Sequence, residues 1–143
     1  MTRDQKIVAI GAASGIFGMV LLVWLISTWM PQPQVIDAPG NRLAYAVRWS
    51  VLAVLPLFAM LVAVGNARFL SEAIDPTLGK ESPKMAVDGR VADNTLQQFV
   101  CFLVGIAALS VSVPIEWISV IPAVAITFVV CRLVFWFGYR IHP

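Results

Sequence analysis

Four long apolar runs separated by short polar stretches organise this chain. They cover approximately residues 7–30, 43–69, 90–113 and 115–139. A helix that crosses a bilayer needs about 20 mostly apolar residues, and each run supplies that length. The third does so only if its helix starts near Arg90, because its uncharged part is Phe99 to Val113. Lipid offers no partner to an open backbone amide or carbonyl, so the runs must be helical. The predicted fold class is an all-α integral membrane protein, a four-helix transmembrane bundle forming one membrane domain over residues 1–143.

The punctuation between the runs sets the connections. Pro31, Pro33, Pro39 and Gly40 predict a stiff loop up to Arg42, and Ser71 to Asp88 is a longer polar connection broken by Pro76, Gly79 and Pro83. The turn Ser112-Val113-Pro114-Ile115-Glu116 is so short that the third and fourth helices should form an antiparallel hairpin. Pro56 and Pro122 lie inside predicted helices and should bend them. The first run is too long for a signal peptide and has no small-residue cleavage site after it. Its Gly11, Gly15 and Gly18 form an edge that would admit another helix closely.

One stretch breaks the apolar pattern with purpose. Arg90, Asn94, Gln97 and Cys101 fall at i, i+4, i+7 and i+11, one face of a helix entering the membrane, with Gln98 beside them. Polar groups in such a segment are costly and face protein or water, which marks a candidate site. The competing reading is a capping box, with Asn94 starting the helix and Gln97 reaching back to it. If the helix instead starts at Asp88 or Gly89, the stripe is interior. The two readings differ in where the helix begins.

Composition supports the membrane assignment: 59% of residues are hydrophobic and 13% charged, against roughly a quarter charged in soluble domains. Mean hydropathy is +0.85. The net charge of +2 is too small to point to nucleic acid. Arg3, Lys6, Arg68, Lys80, Lys84, Arg90 and Arg140 fall on one side of the membrane and Arg42 on the other, so both termini and the long loop are predicted to be cytoplasmic. Cys101 and Cys131 sit in apolar runs and read as inert core cysteines rather than a disulfide. The single histidine, His142, gives no metal site. Trp24, Trp29, Trp49, Trp117 and Trp136 lie mostly near predicted helix ends, where interfacial aromatics gather.

A second polar face stands near the end of the chain. On a helix, Arg132, Phe135 or Trp136, and Tyr139 share a side. The third helix enters the membrane where the fourth returns, so this face lies at nearly the depth of Arg90 to Cys101. Arginines clasp carboxylates in a bidentate fork, and asparagine and glutamine amides read peptide-like groups. A tyrosine hydroxyl or an arginine beside a thiol favours the thiolate. These groups suit a small anionic peptide-like ligand. The sequence has no Ser-His-Asp set, and no catalytic residue is assigned. The bland readings are a snorkelling Arg132 and an interfacial Tyr139.

At these two stretches, Arg90-x-x-x-Asn94-x-x-Gln97 and Arg132-x-x-Phe135-x-x-Gly138-Tyr139, the chain resembles the MAPEG family, membrane-associated proteins in eicosanoid and glutathione metabolism. The resemblance covers roughly residues 48–143, and Asn94-Thr95-Leu96-Gln97-Gln98 is similar to the bacterial branch. It implies a homotrimer in the bacterial inner membrane, with glutathione as co-substrate between subunits near the cytoplasmic face. It implies ligand-binding roles for Arg90 and Asn94, assistance from Gln97 and Gln98, and a place near the thiol for Arg132 and Tyr139. The implied activity is glutathione transfer or peroxide reduction toward lipophilic small molecules.

The chain departs from the family pattern where a glutamate is usual, which is Gln97, and at a tyrosine position, which is Phe135. The family's last helix is expected to be lacking, and the run Ile7 to Met30 stands ahead of the family-like region instead; the two expectations are a chain truncated after Pro143 or a first helix that fills the vacant place. The alternative expectation is therefore a non-catalytic MAPEG-like protein that binds membrane lipid or assembles a partner. A transporter subunit is disfavoured, since the only acid near the bilayer, Glu116, sits at a turn.

Overall fold

The structure, a computed structural model, describes residues 2–33 and 37–141, so His142 and Pro143 lie outside it. Among the described residues there are four α-helices: α1 (Arg3–Trp29), α2 (Pro39–Phe69), α3 (Pro83–Ser112) and α4 (Val120–Ile141). All four spans are long and apolar enough to cross a membrane. α2, α3 and α4 pack on one another, and α1 lies against α4.

Helix starts differ from the sequence reading for one repeated reason: proline. Pro39 and Pro83 looked like breakers, yet each occupies the first turn of a helix. That turn needs no amide from proline and suits its fixed φ. Ser82 caps α3, its Oγ accepting from the Met85 amide at 3.3 Å. α3 therefore begins seven residues before Arg90, and neither the Asn94 capping box nor a cap at Asp88 or Gly89 is formed. Pro122 sits in the third position of α4, where an amide would have no intrahelical partner, so the expected bend has no cause there. Pro56 is inside α2 and buried.

The core is built from small residues, as packing within lipid requires. α2 buries Ala46, Ser50, Ala53, Leu57 and Met60 along one stripe. α4 answers with Ile121, Ala123, Ala125 and Thr127. Toward the Pro114 turn, Ile106, Ile118 and Ile121 pack with Ala46; at the other end Met60, Val91 and Ala92 pack against Phe135 and Trp136. Arg42 Nη1 donates to the Val113 carbonyl at 2.8 Å, tying the start of α2 to the end of α3.

The connection from α2 to α3 is ordered rather than slack. Asp75 caps a 3₁₀ turn, and the Thr77 hydroxyl and amide hold its carboxyl below the ordinary carboxylate range. Gly79 takes φ +63°, which glycine adopts without strain. Arg68 grips the Glu81 carboxylate through Nε and Nη2.

α1 departs most from expectation. A side chain added at Gly11, Gly15 or Gly18 would meet nothing within 4 Å, so that edge admits no helix of this chain. Gln32, just beyond α1, donates to the Glu116 carbonyl at 2.9 Å and anchors this end beside the 3₁₀ turn Ile115–Trp117.

Candidate functional site

α3 presents two different flanks. Asp88, Val91, Ala92 and Thr95 are buried against α2 and α4. Arg90, Gln97 and Cys101 are exposed, and Asn94 is half-buried between the flanks. The sequence stripe therefore exists as one face, but it points out of the bundle. Cys101 is an exposed residue of that face, not a core cysteine. Tyr139, by contrast, belongs to α4 and packs its ring on Phe135 with centroids 5.4 Å apart.

Asn94 and Arg132 are the two predicted residues that the fold joins directly. Arg132 Nη1 donates to Asn94 Oδ1 at 3.1 Å. The guanidinium lies over the rings of Phe128 and Phe135, at 5.7 and 5.1 Å from their centroids. Those rings stabilise a cation through their negative faces. Arg132 therefore does not merely snorkel to the boundary. Among the described residues no carboxylate lies within ion-pair distance of it, and its Nε is buried without a hydrogen-bond partner.

Beside Arg132 is a cavity of about 320 Å³. Met19, Val20 and Val23 of α1 wall one side, and Gln98, Phe102, Thr127 and Phe128 contribute to the others. Gln98, exposed like Gln97, also lines the cavity that Arg132 lines. The six predicted residues divide: Gln98 and Arg132 line this cavity, Asn94 is tied to it through Arg132, Arg90 and Gln97 are exposed on α3, and Tyr139 stands farther along α4.

Asp88 is a key residue that the sequence reading treated only as a possible cap. Its Oδ1 accepts from Arg140 Nε at 2.7 Å and from Trp136 Nε1 at 3.1 Å, and its Oδ2 accepts from Arg140 Nη2 at 2.8 Å. Trp136 is thereby a hydrogen-bonded strut, not a free belt residue. Extending the buried period backwards from Thr95 through Val91 to Asp88 would have revealed it. Nothing in the sequence pattern pointed to α1 as a wall of the cavity.

A half-buried arginine held by an asparagine and two aromatic rings, in a bundle of four apolar helices, defines a membrane protein with a cationic site. The chain belongs to the MAPEG family, whose model matches residues 46–143. It is similar to Transmembrane protein 79 of Mus musculus, 24% identical over 110 residues, covering 73% of this chain and 28% of that protein. It is similar also to Transmembrane protein 79 of Bos taurus, 23% identical over 110 residues with the same coverage. The chain thus spans less than a third of these relatives' length. No solved structure matches it.

Proposed function

We propose that this MAPEG-family protein assembles with copies of itself, as a homotrimer, and binds a glutathione-like anionic peptide at the outward face of α3. The observation that carries the reading is the exposure of Arg90 and Gln97 on a membrane-spanning helix. Such groups are costly against lipid and call for a protein or ligand surface over them. Arg90 supplies a bidentate fork for a carboxylate, and Gln97 reads an amide. Asn94 and Arg132 stand next along the same side, with Tyr139 beyond, so a thiol placed there meets donors that favour the thiolate. The activity that follows is positioning of that thiol toward a lipophilic electrophile, without a covalent enzyme intermediate. The bias of basic residues supports a cytoplasmic position for this end of the bundle and both termini, and the pattern at residues 94–98 supports a bacterial inner membrane as its location.

A second reading, a non-catalytic lipid-binding or assembly protein, is favoured by one observation. The Asn94 carbonyl already accepts from Arg132, and Tyr139 packs on Phe135, which has no hydroxyl to add. Native mass spectrometry of the protein released from lipid nanodiscs separates the two. Three copies retaining glutathione support the first reading. Retained lipid with glutathione never bound supports the second, and a bare monomer sinks both.

A further inference from the structure

A cavity of about 570 Å³ lies where the end of α1 meets the Ile115–Trp117 turn. None of the residues assigned to the α3 site lines it. Two indoles wall it: Trp24 of α1, 57% exposed, and Trp117 of the turn, 63% exposed. Glu116 lines it beside Trp117, and among the described residues no cation stands within ion-pair distance of its carboxylate. The donors on the α1 side are already committed. Ser27 Oγ donates to the Trp24 carbonyl at 2.9 Å, and Thr28 Oγ1 donates to the Leu25 carbonyl at 2.6 Å. Gln32 Nε2 donates to the Glu116 carbonyl at 2.9 Å and to Ser119 Oγ at 3.4 Å. These groups therefore leave acceptors for a ligand: two hydroxyl oxygens, the Gln32 side-chain carbonyl and the Glu116 carboxylate. A place in the interfacial aromatic belt accounts for the indoles, but not for the acceptors gathered between them.

We propose that this cavity binds a primary ammonium group. The faces of Trp24 and Trp117 attract a cation, and the Glu116 carboxylate balances its charge through a charge-assisted hydrogen bond. A primary ammonium carries three N–H donors and no acceptor, which matches a site that offers acceptors. A quaternary ammonium would satisfy the indoles but bring no donor to the hydroxyls, the Gln32 carbonyl or the carboxylate. The same chemistry is presented by an ethanolamine-type lipid head group and by a free amine in solution. The walls come from α1 and from the turn after α3, so an occupied site braces α1 against the bundle beside the Gln32 hydrogen bonds. The Trp24 wall stands outside the family-matched residues 46–143. The site lies within one chain and uses no residue of the glutathione reading, so it depends neither on glutathione nor on assembly of copies.

The test is fluorine NMR of the full chain carrying fluorotryptophan, in phosphatidylcholine nanodiscs. Trp24→Phe and Trp117→Phe assign the two resonances. Three additions are compared: free ethanolamine, free choline, and phosphatidylethanolamine in place of part of the phosphatidylcholine. The expected result is saturable movement of the Trp24 and Trp117 resonances with ethanolamine, with phosphatidylethanolamine or with both, while Trp49 and Trp136 stay in place. Choline should bind more weakly than ethanolamine by about tenfold, the factor that one charge-assisted hydrogen bond supplies. Movement with phosphatidylethanolamine alone identifies a lipid head group, and movement with free ethanolamine identifies a soluble amine. Glu116→Gln keeps the side-chain shape and the backbone carbonyl that Gln32 uses, at an exposed position. It should raise the half-saturating concentration by about tenfold, with the unmoved Trp49 and Trp136 resonances reporting an intact fold. No movement with either ethanolamine probe, an equal response to choline, or an unchanged response in Glu116→Gln overturns the proposal. Glutathione binding measured on Glu116→Gln should equal that of the native chain, so failure of one site is distinguishable from failure of the other.

Discussion

Arg132 of α4 donates from Nη1 to Asn94 Oδ1 of α3 at 3.1 Å, across 38 residues of sequence. This bond fixes the relative depth of the two polar stretches. It also ties the half-buried Asn94 to α4, while Arg90 and Gln97 stay exposed on the same side of α3. Gln98, one turn along α3 from Asn94, faces the same cavity as Arg132. The outward part of the stripe is left to Arg90, Gln97 and Cys101.

The Asp88 clasp should matter asymmetrically. Asp88 is 7% exposed at its side chain and Arg140 33% exposed, so water screens only the arginine. Arg140→Met leaves a buried carboxylate with Trp136 as its remaining donor and should destabilise by about 1–3 kcal/mol. Asp88→Asn keeps an acceptor for Trp136 and exposes Arg140 to water, so it should cost less. Thermal unfolding in detergent ranks the pair, and a larger loss for Asp88→Asn contradicts the clasp.

Thr95 offers a test with the opposite sign. Its hydroxyl is buried without a partner and the residue is fully buried. Thr95→Val keeps the shape and removes the unsatisfied group, so stability should be unchanged or rise by about 1 kcal/mol. Thr95→Ala instead opens a small cavity and should lower stability. A clear loss in Thr95→Val would mean that the hydroxyl has a partner.

Ser82 decides where α3 starts. Ser82→Ala should cost about 1 kcal/mol, the usual value of a helix N-cap. Hydrogen exchange should then speed at Met85 and Ala86, whose amides are held by Ser82. Asn94→Ala should leave those amides protected, because Asn94 lies three turns into the helix. Faster exchange at Leu96 and Gln97 on Asn94→Ala, with Ser82→Ala silent, would restore the capping-box reading.

The apolar runs made the four spans legible because lipid demands both length and hydrophobicity, and each run carried the two together. The boundaries were less legible. Pro39 and Pro83 stop a helix or start one depending on what precedes them, and Ser82 ahead of Pro83 was the overlooked start signal. The site was half legible. Arg132 and Asn94 could be set at one depth from the topology, but which flank of α3 is buried depends on the buried stripe of α2, such as Ala53 and Met60. Asp88 escaped notice because it was assigned to a connection and not to a helix face. The role of α1 is a property of packing alone, since Met19, Val20 and Val23 look like any lipid-facing residues.

The central claim is that the outward face of α3 binds a glutathione-like ligand through Arg90. Isothermal titration of the purified protein with glutathione tests it most directly. The account predicts measurable heat for the native chain and affinity weaker by about tenfold or more in Arg90→Ala, the cost of one charge-assisted contact. No heat with the native chain, or equal heat with Arg90→Ala, contradicts it.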